Sequence, residues 1–253
     1  MKTWRFLDLG ERDIYTVLAI NEAITIAVDE GRCLNTLRFL SIKPPAVTLG
    51  YFQNAEEEVN IDFCIRNGIN IARRWTGGGC AYEDYRGELT YGIMANFTES
   101  DALLDIRKSF EFLCGAAVFG LRKLGINAEF RPINDILANG KKIGGVGQSR
   151  LKNTLLLEGS ILLDDREEMF KALKVSPEKL RDKGIVSPEE RVTSIRRELG
   201  RYIDLDTVKS SLREGFESFL EVKFTKDELT SFELELAQRL REKYASGKYI
   251  FMR

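Results

Sequence analysis

The stretch that decides the fold is Asn134-Asp135-Ile136-Leu137-Ala138-Asn139-Gly140-Lys141-Lys142-Ile143-Gly144-Gly145-Val146-Gly147-Gln148. Asn-Gly between two apolar-rich runs marks a two-residue hairpin, because both residues tolerate the positive φ that such a turn requires. It predicts that 134–138 and 142–149 are antiparallel neighbours, and 153–163 supplies one more strand. Side chains alternate along a strand, so the two lysines face opposite sides and Lys142 is expected to share its face with Gly144. Asn134 and Asp135 then lie across the ladder from a lysine. Such a lysine suits a phosphate or carboxylate, and Asp135 could hold Mg2+; the competing reading is a solvated lysine pair beside a tight turn.

Outward from this hairpin, a strand is expected over 3–9 and a helix over 15–29, stopped by Gly31. Strands follow over 37–41 and 46–50 on either side of Pro44-Pro45. A short helix over 61–67 leads into a strand over 69–74, which runs straight into Gly77-Gly78-Gly79. A strand over 88–95 precedes one long helix over 102–124. Beyond 163 the pattern turns helical over 166–173, 188–199, 206–220 and 225–244. Asp206 and Thr225 read as N-caps, with Glu228 completing a capping box after Thr225. Strands first and helices after is an α+β order rather than alternating βα units.

The composition narrows the chemistry. The 253 residues include no histidine, which excludes Ser-His-Asp triads, Cys-His pairs and His-ligated zinc. Lys and Arg number 38 against 39 Asp and Glu, so the near-neutral chain is no electrostatically driven nucleic-acid binder. No apolar run is long enough to span a membrane, and the first residues lack a secretory signal pattern. The four scattered cysteines make no CxxC and read as reduced thiols in a cytoplasmic protein.

A second segment, Arg73-Arg74-Trp75-Thr76-Gly77-Gly78-Gly79-Cys80-Ala81-Tyr82-Glu83-Asp84, could carry chemistry. Three glycines after a strand let the backbone approach a ligand and aim N–H groups at an anion, and the arginines add charged donors. The plainer alternative is a glycine-rich turn with solvated arginines. It is neither a GxxxxGK[ST] nor a GxGxxG loop. Cys33, Cys64 and Cys114 read as packing, and Cys80 is the one credible reactive thiol, with no histidine to activate it.

Taken together, these segments resemble the biotin/lipoate ligase superfamily, in particular lipoate–protein ligases of the short archaeal type. The matching pieces run in family order over nearly the whole chain. They are Gly50-Tyr51-Phe52-Gln53, the Arg-Arg-x-Thr-Gly-Gly-Gly loop ending in Asp84, Glu88-Leu89-Thr90-Tyr91, Asn134-Asp135, Gly140-Lys141-Lys142-Ile143-Gly144-Gly145, Glu158-Gly159-Ser160-Ile161-Leu162-Leu163 and Lys243-Tyr244-Ala245-Ser246.

The resemblance implies an α+β fold: a mixed, largely antiparallel sheet flanked by helices, with C-terminal helices. It implies a catalytic domain over 1–200, a C-terminal helical segment over 201–253 packed on it, and no separate accessory C-terminal domain. The implied activity is ATP-dependent conversion of lipoate or octanoate to the acyl-adenylate, with transfer to a lysine of a lipoyl carrier domain. The carrier would be a 2-oxoacid dehydrogenase E2 or a glycine cleavage H protein, with a separate accessory ligase subunit as a further partner.

By the same resemblance, Lys142 is catalytic and Arg74, Gly79, Cys80, Ala81, Tyr82 and Lys142 meet the nucleotide. Glu22, Arg74, Thr76, Gly79, Glu83, Gly147 and Glu158 line the acyl pocket, and Asp135 holds Mg2+. Two alternatives stand beside this: an octanoyltransferase drawing on octanoyl carrier protein, and a non-catalytic scaffold. The octanoyltransferase would use a cysteine thioester just before the lysine hairpin or in the strand after it, and 129–135 and 153–160 contain no cysteine. The family's usual histidines are replaced here by Glu83 and Glu158, both expected beside the acyl pocket.

Overall fold

A computed structural model describes residues 1–174 and 188–252. Its strands are β1 Lys2–Arg12, β2 Thr36–Ile42, β3 Ala46–Leu49, β4 Asn70–Arg73, β5 Ala81–Glu83, β6 Glu88–Asn96, β7 Ala128–Arg131, β8 Asp135–Ala138, β9 Lys141–Arg150, β10 Thr154–Leu162 and β11 Val222–Lys226. Eight of them form one sheet in the order β11-β1-β2-β6-β10-β9-β8-β7. The β11-β1 and β1-β2 pairs are parallel and the rest antiparallel, so the expected mixed, largely antiparallel sheet is present. A second sheet, β4-β3-β5, carries the glycine loop between β4 and β5.

The helices that frame these sheets include α1 Ile14–Asp29, α2 Ile61–Arg66, α3 Ile106–Lys123, α4 Leu205–Leu220 and α5 Ser231–Ala245, with further short helical segments among the described residues. One face of the large sheet packs Phe6, Phe39, Tyr91 and Leu157 against Leu113 and Leu121 of α3 and Leu212 and Phe216 of α4. The other face packs Leu7, Leu40, Met94 and Leu156 against Leu18, Ile20 and Ile24 of α1, with Ala237 and Tyr244 of α5 behind them. Helix α1 is thus covered on both sides and reads as nearly continuous apolar sequence. Helices α3 and α4 cross where Gly120 meets Gly215: a Cβ on Gly215 would lie 2.4 Å from the Gly120 backbone. No helix among the described residues is long and apolar enough to cross a membrane.

The hairpin forms as expected, with Asn139 at φ 46° and Gly140 at φ 79°. Five local expectations differ, the first being the helix over 188–199, which divides into a 3-10 turn over Pro188–Arg191 and a short helix over Ile195–Leu199. The helix over 102–124 is broken at Asp105, whose side chain accepts from the Lys108 N–H at 2.8 Å and so starts α3 anew. Thr225 and Glu228 make no capping box: Thr225 lies in β11, drawn into parallel pairing with β1, and the box is built by Thr230 and Glu233. Helix α4 is capped by Asp204 rather than Asp206. Strand β7, Ala-Glu-Phe-Arg at the sheet edge, has too short a pattern to stand out in sequence. The segment beyond residue 200 joins the body on both sides, through β11 in the large sheet and through α5 against α1. The expected 1–200 unit includes 175–187, which lie outside the described residues.

Candidate active site

Lys142 stands next to the hairpin turn, and its Nζ lies 2.7 Å from Asp135 Oδ1. Asp135 also receives Arg131 Nη2 at 3.1 Å. Burial acts to raise the Asp135 carboxyl, but Lys142 and Arg131 outweigh it and hold the group below the usual carboxylate range. The face expected for Lys142 needs correction. The ladder shifts register between Ile136 and Leu137, with Leu137 opposite Lys142 and Ile136 opposite Gly144. One extra residue on β9, a bulge, therefore turns Gly144 toward the core beside Ile161. Gly145 takes its place beneath the lysine, where a Cβ would lie 2.8 Å from Nζ.

The two arginines before the glycine loop are neither solvated nor aimed at a ligand alone. Arg73 is fully buried and donates to the carbonyls of Gly50, Tyr51, Gln53 and Ile250, tying the 50–53 turn to the last helical turn of the chain. Arg74 donates to the carbonyls of Thr48, Gly77 and Gly79 and to Thr76 Oγ1. The loop is glycine-rich because it curls around this guanidinium and lies against neighbouring backbone. A Cβ on Gly50 would sit 2.0 Å from the Gly78 oxygen, and one on Gly147 2.5 Å from the Gly77 oxygen.

A second polar group lies farther along the sheet. Reading across four strands, one row runs Arg38, Gly92, Glu158, Gly147. Gly92 leaves room for a long charged neighbour, since a Cβ there would lie 2.7 Å from Arg38 Nε, and Gly147 leaves room for the glycine loop. Arg38 donates through Nε to Asn21 Oδ1 at 3.0 Å and through Nη1 to Thr90 Oγ1 at 2.9 Å. Burial brings its guanidinium down to about 10, so it is a cation at neutral pH. Glu158 accepts from Asn21 Nδ2 at 2.7 Å and from the Thr76 hydroxyl, with Arg74 Nε 3.9 Å away. Glu83 accepts from Thr48 Oγ1 at 3.0 Å. Burial, reinforced by the nearby Glu158 charge, pushes the Glu83 carboxyl up to about 7. Glu88 is likewise raised well above its ordinary value, by burial first and Glu83 second.

Arg38, Glu83, Glu88, Thr90 and Glu158 line one cavity of about 370 Å3, walled on one side by Ile14, Val17 and Leu18 of α1. Of the expected residues, Lys142, Arg74, Gly79, Cys80, Ala81, Tyr82, Glu83, Gly147 and Glu158 all line it. Thr76 stands behind the wall, bonded to Glu158. Glu22 does not line the cavity; it accepts from Tyr244 at 2.6 Å and from Lys243, where α1 meets α5. Asp135 is taken by two cations, which fits a lysine-positioning carboxylate better than a Mg2+ ligand. Among the described residues no group of three or more acidic or thiol side chains is arranged to hold a metal. Cys80 lines the cavity, and burial pushes its thiol up to about 12. Sequence reading missed Arg38 and Asn21, and it noted Glu88 and Thr90 only within the Glu88-Leu89-Thr90-Tyr91 motif without assigning them to the site. The available signal for Arg38 was a charged residue inside Thr36–Ile42, a strand buried along its whole length.

Comparison with known proteins then places this geometry. The model of the lipoyl protein ligase A/B catalytic domain matches residues 13–217. Octanoyltransferase LipM of Clostridioides difficile is 31% identical, the match covering 98% of each chain, and that of Kyrpidia tusciae is also 31% identical with the same coverage. A solved chain from an archaeal lipoylation system of Thermoplasma acidophilum, a bipartite lipoate protein ligase studied with its E2 lipoyl domain, is 33% identical. It superposes with a TM-score of 0.86 over 99% of this chain and 97% of its own. The resemblance to the ligase fold therefore holds, but one fold can serve several reactions. The expected ATP-dependent ligase, with ATP and Mg2+ as cofactors, lipoate as the acid and AMP as product, is overturned by the full-length octanoyltransferase relatives. A transferase passes on an acyl group that is already activated and needs no adenylate.

Proposed function

The chain belongs to the lipoyl protein ligase A/B catalytic-domain family, and from that premise we propose that it transfers an activated octanoyl-type acyl group to a lysine of a lipoyl acceptor domain. The observation that carries this reading is the Lys142–Asp135 pair at one end of an apolar-walled cavity sized for a small acyl chain. The full-length likeness to octanoyltransferases supports the donor chemistry.

The acyl carbonyl binds at Lys142. The acceptor's amine attacks the carbonyl carbon of a thioester donor, a C–N bond forms, and negative charge develops on the carbonyl oxygen. The Lys142 ammonium, held in place by Asp135, meets that charge when it is largest, so it stabilises the transition state more than the ground state. Collapse breaks the C–S bond, and the proton shed by the amine leaves with the thiolate. The glycine loop, shaped by Arg74, closes the wall and excludes water from the thioester. Cys80 at about 12 is a neutral thiol near pH 7 and a poor nucleophile, which supports direct transfer.

The test is transfer from an octanoyl thioester to a purified lipoyl domain, followed by peptide mapping. Acylation of the acceptor's single lipoylation lysine is the expected outcome. An unmodified domain, or acylation spread over its surface lysines equally with and without the enzyme, overturns the reading.

A further inference from the structure

An octanoyl chain ends in a methyl group, which can use none of the polar side chains at the Glu158 end of the cavity. Arg38 is 1% exposed and lines the cavity, with Nε and Nη1 bonded to Asn21 and Thr90. Its Nη2 has no hydrogen bond among the described residues. Glu83 lines the same space; Oε1 accepts from Thr48, and Oε2 has no donor among the described residues. A cation and a carboxyl group thus each keep one unfilled hydrogen-bonding position in the same cavity.

The spacing connects these groups to the other end. Lys142 Nζ lies over Gly145, and Glu158 pairs with Gly147 two residues farther along β9. That step is about 7 Å of strand, a span that a chain of several carbons bridges. From Gly147 the row continues through Glu158 to Gly92, against which the Arg38 side chain packs, two strand spacings or about 10 Å across the sheet. An extended eight-carbon chain with its carbonyl at Lys142 runs along this diagonal, its remote end directed toward Arg38 and Glu83. A hydroxyl group there both donates and accepts, so it can give a hydrogen bond to Glu83 and take one from Arg38. A methyl group leaves both groups desolvated and unpaired, which is costly in a buried site.

We propose that the cavity selects acyl chains whose end remote from the carbonyl carries a hydroxyl-type group, over chains of equal length ending in methyl. The direction of the chain rests on the acyl-transfer reading, with the carbonyl at Lys142. The selectivity comes from Arg38 and Glu83, on β2 and β5, neither of which touches the reacting carbonyl.

The test is titration calorimetry of the full chain with octanoate and with 8-hydroxyoctanoate. The hydroxy acid is expected to bind at least about tenfold more tightly, the effect of a hydrogen bond to a charged group. In Glu83→Leu, checked for folding by circular dichroism, the preference is expected to shrink, because only the Arg38 hydrogen bond remains; an undiminished preference would overturn the role given to Glu83. Octanoate binding as tightly as the hydroxy acid in the wild type, or no binding of the hydroxy acid, overturns the proposal without any variant. The corresponding thioesters separate this from the function itself. Tighter binding of the hydroxy acid with no transfer of either acyl group sinks the transfer reading and leaves the selectivity standing.

Discussion

The two ends of the cavity are built in opposite ways. At the Lys142 end one hairpin supplies nearly everything: Asp135 and Lys142 lie seven residues apart, and the turn between them sets their pairing. At the Glu158 end, Asn21, Arg38, Glu83, Thr90 and Glu158 come from α1, β2, β5, β6 and β10. The first is a local device whose lysine reaches into the cavity and can follow charge as it develops. The second is a fixed network of buried charges that belongs to the sheet itself. The difference teaches that one end is suited to act on a reacting group and the other to recognise what lies farther along the chain.

Substitutions can break this contrast. The largest effect is expected from Lys142→Ala: removing the group that meets the oxyanion should slow transfer about a hundred- to a thousandfold. The unfolding midpoint should stay close to wild type, because Lys142 is partly exposed. A variant of unchanged rate would show that the hairpin end is not where the chemistry occurs. Glu158→Ala should do the reverse and act mainly on stability. It strips Asn21 and Thr76 of a buried acceptor and leaves Arg38 and Arg74 less compensated, at a cost of about 2–3 kcal/mol in urea unfolding.

Titration sharpens the same comparison. The Glu83 carboxyl sits above its ordinary value, at about 7. Between about 4.5 and 7 the folded protein holds a proton that the unfolded chain has already lost, so stability should fall as pH rises through that window and level off above it. Measured as the difference between wild type and Glu83→Gln, the slope should reach at most about 1.4 kcal/mol per pH unit. Asp135 is depressed and contributes the opposite sign: its stabilisation is lost as pH falls below the ordinary carboxylate range. A wild-type curve parallel to Glu83→Gln across pH 4.5–7 would show that the far end does not titrate as a buried network. The smallest effect is expected from Cys80→Ser, with the transfer rate within about twofold of wild type. A collapse of activity together with loss of an acyl-enzyme species would instead make Cys80 a covalent carrier.

The contrast between the ends also explains what could be read without coordinates. Asn139-Gly140 announces its own pairing, so the hairpin, Lys142 and Asp135 were accessible from local pattern. The bulge that exchanges Gly144 for Gly145 under the lysine was not, because strict alternation assumes an unbroken ladder. The Arg38-Gly92-Glu158-Gly147 row joins residues as much as 120 positions apart and exists only once the strand order is known. Glu22 illustrates the opposite error. A position expected beside the acyl chain is held instead by Lys243 and Tyr244 from α5, a contact that depends on how the C-terminal helix docks. The family and fold survived the test of comparison, whereas the reaction did not, because ligases and transferases share the sheet that carries the lysine.

The most direct measurement is the intact mass of a lipoyl acceptor domain over time with this protein and an octanoyl thioester donor, in nucleotide-free buffer. The expected result is the addition of one octanoyl group per domain, at a rate that depends on Lys142. An acceptor whose mass stays unchanged until ATP and a free acid are supplied would contradict the account.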